Sequence, residues 1–289
     1  MELKKYEISV QNSEKMIFEF TDLAEQTNGS VLVSQGETKI LVTATMGELS
    51  RKNYFPLRVD YLEKYYARGE IMGGRYRKRE GKPSTEATLT SRIIDRSIRP
   101  FFPKDLKNEI QVIITVLSLG KYDPDILAIN GTSLALATSD IPWNGPTGAI
   151  RITKDSNGQI LFNPNFTEIK KEENIFKSVF SGHDDKISMI ETESKEIPEE
   201  DFLQITEQAI LETTIISKKI KEIASEIGKE KLTYQSDKKN IEFLEKIFQE
   251  TFLEKFKMDF VKDGEFDENL EKEFNLKIKE ENFKIKDEE

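Results

Sequence analysis

Residues 109–119 read EIQVIITVLSL, a nearly continuous run of β-branched and aliphatic side chains. Such a run is typical of an interior strand, and it predicts a central strand covered on both faces. An Asp-Pro-Asp sequence follows and begins an apolar helix that ends near residue 140, with Asp125 as its natural N-cap. Gly131 and the alanines around it predict that this helix packs closely against the sheet. The strand and the helix together require a layered fold with a buried core.

The chain before this strand predicts an antiparallel meander. Alternating apolar residues begin it, residues 16–20 can pair back with them, and residues 30–34 and 39–45 flank a turn at Gly36. After the central helix we expect another strand and a series of hairpins up to about residue 190. Strands that alternate with packing helices define an α+β domain.

From residue 197 onward the pattern changes to long amphipathic helices. The predicted helices cover residues 199–227, 236–261 and 267–283. Gly228 is expected to end the first of them, and we place a domain boundary near residues 228–237. The predicted domains are therefore an α+β core over residues 1–230 and an all-helical domain over residues 231–289.

Composition excludes several classes of site. The chain has no cysteine, which removes disulfides and thiolate metal sites and fits a reducing compartment. Its single histidine, His183, excludes multi-histidine zinc sites. Acidic pairs such as Asp184-Asp185 are expected to be solvated, so no metal ligand is predicted. Neither end shows a signal peptide or an apolar run of about 18 residues, and we expect a cytoplasmic protein with no membrane partner.

Arginine is concentrated in one part of the chain. Seven of the ten arginines lie between positions 68 and 99, whereas lysine is the usual cation elsewhere. The planar guanidinium fork suits phosphate better than a point charge does. Residues 68–104 carry ten Lys or Arg against four Asp or Glu, whereas the whole chain has a net charge of −10. An acidic body with one basic region directs a polyanion such as RNA to that region.

A basic glycine-rich loop lies inside this region. Two adjacent glycines let the backbone approach a ligand, and Tyr76 follows them beside Arg77, Lys78 and Arg79. An aromatic ring among cations suits single-stranded nucleic acid, so we predict that these four residues bind RNA. Ser84 is then predicted to cap a helix.

The helix carries an arginine stripe. Arg92, Arg96 and Arg99 recur at i, i+4 and i+7 and therefore share one face, opposite an apolar face that packs. Asp95 can pair with Arg99 at i+4. A charged helix face can also be merely solvated. The clustering of arginine favours phosphate or RNA contact for all three.

The segments that carry these features resemble a known family. Residues 55–103, with their REG-x-P-S and S-R-x-I-D-R-x-I-R-P blocks, are similar to the first ribonuclease PH-type core of bacterial polynucleotide phosphorylases. The segments NGSVLVSQGETKILVTATMG and DPDILAINGTSLALATSDIPWNGPTGAIRI agree with it. The resemblance covers roughly residues 5–225, and it implies a ribonuclease PH-like core followed by an all-helical region.

The resemblance also implies an activity and a division of labour. In this family inorganic phosphate attacks the 3′ end of RNA and releases nucleoside diphosphates, with Mg²⁺ assisting, so it implies a 3′-to-5′ phosphorolytic exoribonuclease in mRNA degradation. Glu86 stands where single-domain relatives carry a phosphate-binding arginine, and residues 123–125 stand where they carry a phosphate-binding Gly-Thr-Arg run. Carboxylates repel phosphate. We therefore expect no phosphorolytic site in this chain alone, and we expect phosphate and Mg²⁺ to be held by a second ribonuclease PH-type core.

For the RNA, the resemblance implies two contacts. The basic loop corresponds to a constriction that grips single-stranded RNA, although one residue is inserted there and one of two expected aromatics is a cation. The arginine stripe corresponds to residues along the RNA path, where Arg92 and Arg96 would support the catalytic centre of the partner core. A homotrimeric ring is implied as well.

Three interpretations remain open. The chain can be the N-terminal half of a polynucleotide phosphorylase, truncated or encoded apart from its catalytic half, and this is the interpretation we prefer. It can instead be a free-standing RNA-binding module without catalysis. The third possibility is a scaffold that only completes a ring.

Overall fold

A computed structural model describes residues 4–50, 54–71, 82–234, 248–249 and 276–277. The chain divides into one unit of residues 1–234 and another of residues 235–289. All elements given below belong to the first unit. The two helices predicted after residue 235 fall almost wholly outside the described residues, and the domain boundary at residue 230 stays a prediction.

Six strands form the first sheet. They are β1 (Lys4–Ile8), β2 (Met16–Phe20), β3 (Gly29–Gln35), β4 (Thr38–Leu49), β5 (Leu57–Leu62) and β6 (Asn108–Ser118). The sheet order is β1-β2-β3-β4-β6-β5, and the first four strands are the predicted antiparallel meander. Gly36 turns the chain between β3 and β4 at a φ of +57°, where a residue with a Cβ would be strained. Among the described strands, β5 is the one that pairs in parallel, and its partner is β6.

β6 differs from its prediction in one respect. It lies between β4 and β5, as expected of an interior strand. Its inner residues Ile110, Val112, Ile114 and Val116 are at most 1% exposed, but the residues between them are only half-buried. The prediction that both faces are covered was therefore wrong. A β-branched run does not distinguish the two faces, because Ile and Thr suit a half-exposed strand as well as a buried one.

The described part of the first unit also contains a second sheet and four helices. The strands are β7 (Gly148–Asp155), β8 (Ile160–Phe162), β9 (Asn174–His183) and β10 (Lys186–Ser194), in the order β10-β9-β7-β8. The helices are α1 (Thr85–Ile98), α2 (Pro124–Thr138), α3 (Phe166–Ile169) and α4 (Glu199–Ile227), with 3-10 turns at Tyr65–Arg68 and Arg99–Phe101. The predicted α+β class and the bounds of α4 are confirmed. No described helix combines the length and the apolar character needed to span a bilayer.

α2 is the central element of the core. Fourteen of its fifteen residues are buried, because it contacts β3 and β4 of the first sheet, β7 of the second sheet, α1 and α4. A Cβ on Gly131 would lie 2.8 Å from Val33 Cγ2 and 2.9 Å from Val42 Cγ2, so the predicted close packing is confirmed. The N-cap is Asp123 rather than Asp125 as predicted, since the Asp123 carboxylate accepts the N–H of Asp125.

Residues 228–234 run across the C-terminal end of α2. The Lys231 ammonium donates to the carbonyls of Leu136, Ala137 and Ser139 at 2.7, 3.1 and 2.7 Å. The last carbonyls of a helix have no partner within the helix, and a cation there also complements the helix dipole. Lys231 therefore caps α2 and holds this segment on the first unit.

Candidate functional site

The basic loop predicted to bind RNA lies outside the described residues. Its four candidate residues, Tyr76, Arg77, Lys78 and Arg79, therefore stay predictions. The arginine helix α1 follows the loop and is described along its whole length.

The start of α1 is fixed by a double contact at Ser84. The Ser84 hydroxyl accepts the backbone N–H of Ala87 at 2.9 Å, which confirms the predicted N-cap. The same hydroxyl donates to Glu63 at 2.7 Å, just after β5. Glu86 lies in the first turn, as predicted, and is exposed. The N-terminus of α1 is thus tied to the neighbouring strand.

The inner face and the end of α1 are equally well held. Ala87, Ile94 and Ile98 are at most 1% exposed. At the C-terminus the indole N–H of Trp143 donates to the carbonyl of Ile98 at 3.0 Å, and the indole also packs edge-on against Phe101. The opposite face of the helix, with the arginines, is therefore presented on a rigid element.

Arg99 joins α1 to the first sheet. Its guanidinium forms a two-pronged pair with Asp95, with N–O distances of 2.7 and 2.8 Å, which confirms the predicted i, i+4 pairing. It also donates to the carbonyls of Phe55 at 3.4 Å and Leu57 at 3.2 Å. These contacts make Arg99 an anchor of the helix, while its predicted contact with RNA remains untested.

The side chains of Arg96 and Arg92 have fewer contacts with the rest of the protein than the side chain of Arg99. The Arg96 guanidinium pairs with Glu191 of β10, and both side chains are about half-exposed, at 48% and 50%. Arg92, one turn earlier, is exposed and has no hydrogen bond or ion pair with any described residue. The stripe predicted as one surface thus divides into an anchored, a loosely paired and a free guanidinium.

The carboxylates predicted to repel phosphate have a partner that the sequence did not reveal. Arg151 of β7 donates to Asp123 at 2.6 Å and also pairs with Asp125. Burial raises the pKa of Asp125 to about 7, against the lowering effect of Arg151. Burial and the charges of these two aspartates raise the pKa of the nearby Tyr61 as well. A buried ion cluster of protein side chains therefore occupies this position, and it offers no free cation to a phosphate.

The described ranges do not fit a magnesium site. Within residues 4–50, 54–71 and 82–234 no group of three or more His, Asp or Glu side chains is placed to hold a metal ion. Asp184 lies in the β9–β10 turn with its side chain 64% exposed. We therefore assign no step of the chemistry here to a metal.

Residues 13–142 match the family described as "3′ exoribonuclease family, domain 1", the ribonuclease PH family. This part of the chain is therefore a ribonuclease PH domain. The solved structure of rice Rrp46 has the same fold, with a TM-score of 0.60 over 75% of this chain and 98% of that one, at 15% identity.

Relatives with similar sequences are polyribonucleotide nucleotidyltransferases. The protein of Caldicellulosiruptor saccharolyticus is 44% identical over 238 residues, which cover 81% of this chain and 33% of the relative. The protein of Sulfurihydrogenibium azorense is 39% identical over 264 residues, 90% of this chain and 37% of the relative. The resemblance to the first core of this family is confirmed, and the chain spans about a third of the length of these relatives.

Proposed function

We propose that this chain is the RNA-binding part of a polyribonucleotide nucleotidyltransferase, a 3′-to-5′ phosphorolytic exoribonuclease that acts in mRNA degradation. The ribonuclease PH domain and the relatives with 39 to 44% identity support this proposal. The observation that carries it is Arg92, an exposed guanidinium with no partner among the described residues, on a helix fixed at both ends. Because the helix backbone is already held in place, only the Arg92 side chain has to lose conformational freedom when it binds a phosphate.

In the proposed reaction, this chain positions the RNA and a second ribonuclease PH-type core performs the phosphorolysis. That core lies in the same full-length chain or in a separate subunit, and it binds inorganic phosphate and Mg²⁺. Phosphate attacks the last phosphodiester of the RNA, and Arg92 and Arg96 stabilise charge near that bond. The buried cluster around Arg151, which offers no free cation, supports the assignment of phosphate to the other core. We further propose a homotrimeric ring in the cytoplasm.

The first test measures RNA binding by the full chain. Anisotropy of a labelled single-stranded oligoadenylate is recorded over a range of NaCl concentrations for the wild type, Arg92→Ala and Arg96→Ala. Arg58→Ala is the matched control, because Arg58 is an exposed arginine on β5 whose side chain is 73% accessible. Loss of one phosphate contact by Arg92→Ala should weaken binding several-fold and reduce the salt slope by about 0.7. Equal effects at Arg58 and Arg92 would contradict the proposal.

The second test separates the enzyme part from a free-standing RNA-binding module or a ring scaffold. Polyadenylate, phosphate and Mg²⁺ are incubated with the chain alone and with a second ribonuclease PH-type core, and ADP release is measured. We expect no ADP from the chain alone and release from the mixture. RNA binding without release in the mixture would favour the module, and absence of RNA binding would favour the scaffold. Substantial ADP from the chain alone would contradict the interpretation of Glu86 and the Arg151 cluster.

A further inference from the structure

We propose that Glu191 sets the RNA affinity of this surface, because its carboxylate holds Arg96 until an RNA phosphate replaces it. The inference rests on the proposed function and extends it to a residue of the second sheet. Glu191 lies 95 positions from Arg96 in sequence, and β10 brings it to the arginine face of α1.

The position of the pair allows such an exchange. The pair joins α1 to β10, an edge strand of the second sheet. Both side chains are about half-exposed, so a polyanion in solution can reach the guanidinium without opening the core. Exposed ion pairs of this kind contribute little net stability, because water and salt screen them. Replacement of the carboxylate by a phosphate is therefore energetically accessible.

The Glu191 carboxylate and an RNA phosphate can occupy the same place on the Arg96 guanidinium. A carboxylate and a phosphate each present oxygen acceptors that fit a guanidinium fork. Arg92 lies one helical turn from Arg96 and needs no exchange, since it has no partner among the described residues. We infer that Arg92 engages a phosphate first and that Arg96 joins when Glu191 releases it. Until then the Glu191 charge opposes the approach of RNA.

A purely structural role for the pair is less consistent with the rest of α1. Three other contacts already fix the helix, namely the Ser84 cap, the Trp143 hydrogen bond to its last carbonyl and the Arg99 anchor. Removal of the Glu191 charge should therefore leave the fold intact. The removal of this charge should instead strengthen RNA binding.

The test compares Glu191→Gln with Glu193→Gln in the full chain. Glu193 lies two residues further along the same face of β10, its side chain is 80% exposed, and its ion pair is with Lys177 rather than with α1. Both variants remove one negative charge from the same strand. Binding of labelled single-stranded oligoadenylate is measured over a range of NaCl concentrations, and urea unfolding confirms that both variants are folded.

We expect Glu191→Gln to bind about two- to fivefold tighter at low salt, the range set by an exposed ion pair. Its salt slope should steepen by up to about 0.7, because Arg96 then engages a phosphate fully. Glu193→Gln should show a smaller gain and an unchanged slope. In addition, Arg96→Ala should weaken binding more in the Glu191→Gln background than in the wild type.

Two outcomes would overturn the inference while the proposed function stands. One is an equal effect of Glu191→Gln and Glu193→Gln on RNA binding, which would mean that Glu191 acts only through its contribution to the net charge. The other is an identical cost of Arg96→Ala in both backgrounds. If Glu191→Gln proves unfolded, Glu191→Asp repeats the test, since the shorter side chain withdraws the carboxylate and should tighten binding less. Failure of the proposed function is distinct, because Arg92→Ala and Arg96→Ala would then leave RNA binding unchanged.

Discussion

Asn130 and Ala149 are joined by two hydrogen bonds between a side-chain amide and the backbone. The Asn130 amide donates to the carbonyl of Ala149 at 2.9 Å and accepts its N–H at 2.8 Å. Ala149 faces β9 on its other side, and β8 is too short to reach it, because β8 pairs only with residues 152–154 of β7. The Asn130 side chain on the buried helix α2 therefore supplies the hydrogen bonds that Ala149 of β7 does not receive from a neighbouring strand.

Asn130→Ala should destabilise the fold strongly. The substitution leaves a buried N–H and a buried C=O of Ala149 without partners, which should cost about 2–4 kcal/mol of the free energy of unfolding. Urea denaturation followed by circular dichroism measures this loss. Asn157→Ala, at an exposed turn position, is the control and should stay within about 0.5 kcal/mol of the wild type. A loss at Asn130 no larger than at Asn157 would mean that water satisfies the Ala149 groups.

Gly131→Ala should also destabilise the fold, although alanine favours helix. The added methyl would press on Val33 and Val42, at 2.8 and 2.9 Å, and overpacking of this kind costs about 1–3 kcal/mol. Gly47→Ala is the matched control, because the nearest atoms to its added Cβ lie at 3.6 Å. The midpoint of urea denaturation is measured for both variants, and it should be lower for Gly131→Ala than for Gly47→Ala. A stabilised Gly131→Ala would show that the sheet yields to the methyl.

Arg99→Ala and Arg92→Ala should separate stability from RNA binding. Arg99→Ala removes the pair with Asp95 and the bonds to the carbonyls of Phe55 and Leu57, so it should lower the free energy of unfolding by about 1–2 kcal/mol. Arg92→Ala should change stability by less than about 0.5 kcal/mol. Chemical denaturation measures both, and RNA binding is compared at low temperature where both are folded. Equal stabilities of the two variants would remove the distinction between an anchor and a free guanidinium.

The stability of the fold should depend on pH through Asp125. Its pKa is raised to about 7 by burial, while the pKa of a free aspartate is about 4. Between these values the unfolded chain has lost a proton that the folded chain retains. The Asp125 contribution to stability is therefore largest below about pH 4, falls as the pH rises to about 7, and is constant above. Asp123, Arg151 and Tyr61 are the charged or titratable groups beside it.

The measurement is the difference in free energy of unfolding between the wild type and Asp125→Asn from pH 4 to 8. The stability of the wild type relative to Asp125→Asn should fall as the pH rises to about 7, and it should then stay constant. Asp22→Asn, at an exposed position, should give no such trend. A flat difference at Asp125 would show that Arg151 keeps the carboxylate ionised throughout.

Local sequence signals predicted most of the elements. Alternation identified the meander, the Ser84 cap identified the start of α1, and Gly228 identified the end of α4. The errors arose where one local sequence pattern is compatible with two different structures. Asp123 and Asp125 both flank Pro124, and only the preference of proline for the first helical position distinguishes them.

For the candidate site, periodicity predicted which arginines share a face but not which of them are available. Availability depends on partners that the fold brings from elsewhere in the chain. Asp95 is local to Arg99 and was predicted, whereas Glu191 lies 95 residues from Arg96. Arg151 lies 26 residues from Asp125 and was missed for the same reason. Short-range spacing carries no information about such contacts.

Trp143 gives the molecule an intrinsic optical probe. It is the only tryptophan of the chain, and it lies beneath the end of α1 with its N–H bound to the carbonyl of Ile98. The fluorescence of the unlabelled chain therefore originates largely from one point at the C-terminal end of the arginine helix. A nucleic acid that shifts α1 should change the emission colour or intensity without any attached dye.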